Sequence, residues 1–115
     1  MTPTARSLKY LRDHGADADV VERRLAKTFI TKDLFGFIDI VAVRGSEILG
    51  VQVTTGAHLA DRIAKARGLP TYEVWLRAAR LEFHGWALQG ARGKRKTYVC
   101  RVVDAKDDVG EGASE

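Results

Sequence analysis

The chain has one cysteine, two prolines and no long apolar run. With Cys100 alone, no intrachain disulfide can form, and a reducing interior suits the protein. Pro3 and Pro70 are too few to build a proline-rich linker. No stretch approaches the roughly 20 apolar residues that cross a bilayer, and the first residues lack the apolar core of a signal peptide. These absences predict a soluble, cytoplasmic protein with no membrane partner. His14, His58 and His84 do not stand at zinc spacing, and no Walker-type glycine loop is present. Gly45 and Gly50 read as hairpin punctuation. Ser7, Ser46 and Ser114 show no arrangement with a base that would make a hydrolase, and Cys100 reads as an inert core thiol.

What is present suits one globular domain. The 115 residues are 45% hydrophobic and 30% charged, enough to bury a core without staples. The domain is expected to span residues 1–104, and the acidic stretch 105–115 is expected to stay unpacked. The formal net charge of +4 is unevenly spread. Residues 1–57 hold eight Lys/Arg against seven Asp/Glu, residues 58–103 ten against three, and residues 104–115 one against five. The middle-to-late region therefore carries a positive field suited to a polyanion.

Periodicity orders the elements. A first helix is expected over residues 7–14, capped by Thr4 and stopped by Gly15. Residues 19–24 form a short strand candidate. Two β-rich runs flank Gly45-Ser46-Glu47 and predict a hairpin over residues 34–55. Leu59, Ala60, Ile63 and Ala66 share one face of a helix over 57–67, which Gly68 and Pro70 end. Thr71 can cap a second short helix carrying Val74, Trp75 and Ala78. Residues 81–88 and 97–103 read as strands. The order α-β-β-β-α-α-β-β predicts an α/β (α+β) fold with a mixed sheet flanked by helices.

Each run of the first hairpin carries one polar residue inside an apolar stretch, Asp39 in the first and Gln52 in the second. A buried strand rejects a carboxylate unless something offsets its desolvation, and a metal ion does so well. Backbone donors or an arginine would also satisfy such a residue, and Gln52 could equally bond across the sheet.

The order helix, strand, Asp-bearing strand, turn, strand with a polar triplet, helix, strand resembles the PD-(D/E)XK nuclease superfamily. Within it, the chain is similar to small Holliday-junction-resolvase-like proteins of the phage or bacterial kind. The likeness covers about residues 7–75. Residues 35–40 stand where the family has its Asp strand, with Phe37-Ile38 in place of the usual proline before the acid. Residues 50–54 fall where the family has its acidic-x-Lys triplet. The resemblance implies a restriction-endonuclease-like core and a metal-dependent DNA endonuclease, structure-selective and homodimeric. It implies Mg²⁺ (or Mn²⁺) on Asp39, the Gln52 amide oxygen and the Val53 backbone carbonyl. Gln52 and Thr54 replace the family's second carboxylate and its lysine. Glu22 is the candidate replacement acid, and Lys65 or Lys32 the candidate replacement base-orienting cation.

Arg92-Gly93-Lys94-Arg95-Lys96 places four cations within five residues at a predicted hairpin tip, where they can track a phosphate backbone. Arg62 joins them as a candidate contact to nucleic acid. A solvated turn that blunts a sheet edge is the plainer reading of the same run. Trp86 and Tyr98, on strands, read as core or interface side chains rather than base-stacking platforms. Two classes of function follow: a metal-dependent endonuclease, or a catalytically degenerate nuclease fold that binds DNA or a protein. A small dimeric regulator without nucleic acid is a third.

Overall fold

Three helices and a five-stranded mixed sheet make an α+β fold in the computed structural model, which describes residues 1–24 and 31–106. Helix α1 (Pro3–Asp13) starts on Thr2, whose hydroxyl accepts from Ala5 N–H at 3.1 Å, with Pro3 in the first turn. The cap is thus Thr2 rather than Thr4. Gly15, at φ +88°, turns the chain out of the helix as expected.

The strand anticipated over 19–24 is divided. Strand β1 (Asp17–Val20) joins the main sheet, while β2 (Arg23–Arg24) pairs with β3 (Thr31–Lys32) in a separate two-stranded ribbon. The break lies at Val21, whose N–H bonds Asp39 O at 2.8 Å. Strands β4 (Ile40–Arg44) and β5 (Glu47–Thr55) form the expected hairpin, closed through Gly45 at φ +62° with Arg44 opposite Glu47. A 3₁₀ turn (Gly56–His58), helix α2 (Leu59–Arg67) and helix α3 (Pro70–Ala78) then return the chain to β6 (Arg80–Gln89), parallel to β5. Strand β7 (Thr97–Asp104) pairs antiparallel with β6, giving the order β1-β4-β5-β6-β7. Thr71 does not cap α3; its hydroxyl donates to Phe35 O at 2.9 Å.

Strand β5 is buried on both faces, and its alternation sorts the core into two. Leu49, Val51 and Val53 face α1 together with Leu11, Ala18, Ile40 and Ala42. Gly50, Gln52 and Thr54 face the opposite layer, where Leu81, Phe83, Leu59, Tyr72 and Phe37 pack. Each fully buried Leu or Phe contributes about 1.5–3 kcal/mol. Gly50 is not hairpin punctuation. It lies inside β5 beneath Trp75, and a Cβ there would sit 2.7 Å from the indole ring. Ala105 also belongs to this core and bonds Leu81 O through its N–H at 2.9 Å; residues 107–115 of the anticipated tail lie outside the described residues. Among the described residues, no helix is long and apolar enough to cross a membrane.

The outer face of β6 holds a buried polar chain. Trp86 Nε1 donates to Ser7 Oγ at 2.8 Å, Ser7 Oγ lies 2.8 Å from His84 Nδ1, and His84 Nε2 lies 3.0 Å from Glu82 Oε1. Arg44 completes it on Glu82 Oε2 at 3.3 Å. Ser7 Oγ and the Glu82 carboxylate thus hold the two ring nitrogens of His84. Burial pushes Glu82 up, but the His84 hydrogen bond and charge, with Arg44, outweigh it and hold the carboxyl below its ordinary range. Ser7 therefore does meet a histidine, contrary to the sequence reading. Both are 0% exposed, so no substrate reaches the hydroxyl and the chain anchors α1 to the sheet.

Candidate functional site

The C-terminal end of β5, the start of β4 and the first turn of α1 meet at one edge of the sheet. There the chain opens a cavity of about 510 Å³ lined by Thr4, Glu22, Lys32, Asp33, Asp39 and Arg62 among others. Three carboxylates converge in it. Oxygens of Glu22, Asp33 and Asp39 lie within 4.8 Å of one another.

Asp39 is placed by the hairpin. Its backbone N–H bonds Val51 O at 2.9 Å, and its Oδ2 accepts from Val53 N–H at 2.7 Å. Asp33 is placed by a tight turn between the two acids. Phe35 at φ +56° and Gly36 at φ +88° reverse the chain, Leu34 bridges Ile38, and Asp33 returns to face Asp39. A non-glycine residue in the left-handed region costs on the order of 1 kcal/mol or more, a strain that recurs at functional sites. Glu22 follows β1 and is held by the Val21–Asp39 backbone bond.

The electrostatics are those of a crowded acidic cluster. Desolvation first, then a hydrogen bond with Asp33 and the charges of Asp33 and Glu22, push Asp39 up to about 8 against the opposing Val53 N–H bond. Glu22 is also raised, by burial and then by Asp33. Asp39 therefore holds its proton near neutrality.

Gln52 lies between the two β5 residues that Asp39 bonds. The side chain is only 5% exposed, and among the described residues its Oε1 has no hydrogen-bond partner. A buried amide oxygen without a donor carries a desolvation cost of about 1–3 kcal/mol. The three carboxylates are a hard oxygen donor set, the kind that Mg²⁺ or Mn²⁺ accepts; Gln52 is next to this set in the strand but is not among the residues that line the cavity. The residues present fit such an ion.

The remaining expected residues divide. Lys32 and Arg62 line the cavity, so both cations stand where a phosphate would need them. Lys65 is exposed on α2 and is not among the lining residues, which makes Lys32 the better replacement of the two. Val53 meets the site through its N–H on Asp39, a contact the sequence reading did not include; its side chain packs in the α1-side core. Arg92, Lys94, Arg95 and Lys96 are all exposed between β6 and β7. Asp33 was the acid missed. Its signal was the compact Asp33-Leu34-Phe35-Gly36 stretch, a turn sequence that returns the chain upon itself. No protein-family model, curated protein or solved structure matches the chain, so the site's own chemistry carries the functional argument.

Proposed function

We propose that the protein is a metal-dependent endodeoxyribonuclease of the PD-(D/E)XK kind, with Asp39, Asp33, Glu22 and the Gln52 amide oxygen holding Mg²⁺ or Mn²⁺. The observation that carries this reading is the convergence of the Glu22, Asp33 and Asp39 oxygens within 4.8 Å in a cavity that Lys32 and Arg62 also line. A bound divalent ion supplies Lewis-acid polarisation of a phosphodiester and a water of lowered pKa. The chain's own groups do the rest. Lys32 and Arg62 offset phosphate charge at the cavity mouth, and they stand in for the ammonium that Thr54 cannot provide. Glu22, raised and half-buried, is suited to accept a proton from the attacking water. The first turn of α1, reaching the cavity at Thr4, turns its positive end toward the anion.

The basic β6–β7 tip lies at the same end of the sheet, since β5 and β6 run parallel and both point their C-terminal ends that way. It supplies a phosphate-tracking surface beside the cavity. A cytoplasmic location and a homodimeric state accompany this reading. The second reading, a nuclease fold that binds DNA without cutting it, is favoured by one feature: position 52 holds an amide, which adds no charge to the ion's site. Incubation with branched, single-stranded and duplex DNA, with Mg²⁺ or Mn²⁺ and with chelator, separates the two. Metal-dependent nicking that vanishes in Asp39→Ala is the expected result. A tight mobility shift with no cleavage would select the binder.

A further inference from the structure

Tyr98 and Phe35 are the aromatic residues among the exposed large hydrophobics of the described residues, and only Tyr98 adjoins the basic hairpin tip. Tyr98, near the start of β7, is 48% exposed, and the Arg6 guanidinium lies 3.5 Å from its ring centroid. Opposite it in the β6–β7 ladder is Leu88, itself 52% exposed. Two exposed hydrophobic side chains in register make a small apolar platform. Lys96, Arg95, Lys94 and Arg92 follow at once beyond the strand, all exposed. A ring with a cation behind it and four cations beside it is complementary to one chemistry above others: an unpaired base joined to a phosphate chain. A duplex does not fit the ring, because its bases are already stacked on one another.

The position also matters. Thr4 lines the acidic cavity and Arg6 reaches Tyr98, and both belong to the first turn of α1. The cavity and the ring are thus both reached from a single helix turn, and a single-strand surface covers several nucleotides.

We infer that Tyr98, backed by Arg6 and flanked by Leu88 and the basic hairpin tip, stacks an unpaired DNA base next to the acidic cavity, so that the substrate carries a single-stranded arm. The inference names the substrate class of the proposed nuclease and rests on that reading for the cutting step, though not for binding. The test is fluorescence anisotropy in chelator with a labelled short oligothymidylate and a blunt duplex of equal length. Tyr98→Ala is expected to weaken the single strand about five- to hundredfold while leaving the duplex within about twofold, and Tyr98→Phe to keep parental affinity. Equal loss on both DNAs, no loss on either, or no single-strand binding by the parent at low salt would overturn it. Because the assay excludes metal, it is independent of cleavage. An Asp39→Ala protein that binds the oligothymidylate like its parent but cannot nick leaves both readings standing. A parent that binds but never cuts removes only the nuclease.

Discussion

Asp39 and Val53 are joined across the first hairpin by a 2.7 Å hydrogen bond from the Val53 N–H to the Asp39 carboxylate. That bond fixes the acid at the cavity wall, and it lowers the acid's proton affinity against burial and two neighbouring carboxyls. The balance makes the cluster a poor resting place for three negative charges and a good one for a divalent cation.

The pH dependence of stability has a defined sign. Asp39 keeps its proton in the folded chain up to about 8, whereas the unfolded chain releases it near 3.9. The folded state therefore binds more protons across that window, and metal-free stability falls as pH rises through it. Asp39→Asn is expected to flatten the slope and to be more stable than the parent above about pH 8. Thermal melts in chelator across the range check this; a parent whose stability rises over the same window would contradict it.

Asp33 contributes charge that Gln52 does not. Asp33→Asn is expected to weaken Mn²⁺ binding by at least about tenfold, and Gln52→Glu to strengthen it by a similar factor while lowering metal-free stability. Titration calorimetry on the two variants reads both effects. Unchanged affinity in Asp33→Asn would remove that residue from the site.

The Ser7–His84–Glu82 chain is expected to serve stability alone. Glu82 is depressed in the folded state, so its contribution is present above its unfolded pKa and is lost as pH falls through the folded value. Ser7→Ala should cost about 1–3 kcal/mol by leaving His84 Nδ1 and the Trp86 indole without a partner. Chemical denaturation measures that cost, and Mn²⁺ affinity in the same variant should not move.

Gly50 is a packing residue. Gly50→Val drives two methyls into the space of the Trp75 ring and is expected to destabilise by about 1–3 kcal/mol or more. A melt matching the parent would mean that Trp75 can leave its place over β5.

Charge reversal at Arg92, Lys94, Arg95 and Lys96 is expected to weaken duplex and single-stranded DNA alike and to flatten the salt dependence. Each lost phosphate contact should remove about 0.7–0.9 from the slope of log K against log salt. Binding measured over a salt series checks it, and an unaltered slope would make the tip a plain solvated turn.

Much of the fold was legible because its elements are strongly periodic. Leu59, Ile63 and Ala66 mark α2, and the alternation around Gly45-Ser46 marks the β4–β5 hairpin, so both were found near their true bounds. What was not legible depends on contacts distant in sequence. Gly50 reads as a turn residue until Trp75, 25 positions later, is folded over it. Ser7 and His84 are 77 positions apart, so no local pattern announces their hydrogen bond. Within the site, Asp39, Gln52 and Glu22 were legible as polar residues in or beside apolar runs. Asp33 was not, because its approach depends on Phe35 taking a left-handed conformation that its residue type does not favour.

The most direct test of the account is calorimetric titration of Mn²⁺ into the metal-free protein at about pH 8. A single saturable site, abolished by Asp39→Ala and weakened by Gln52→Leu, is the predicted result. Absence of binding, or binding that survives the loss of Asp39, would contradict a cation held by this hairpin.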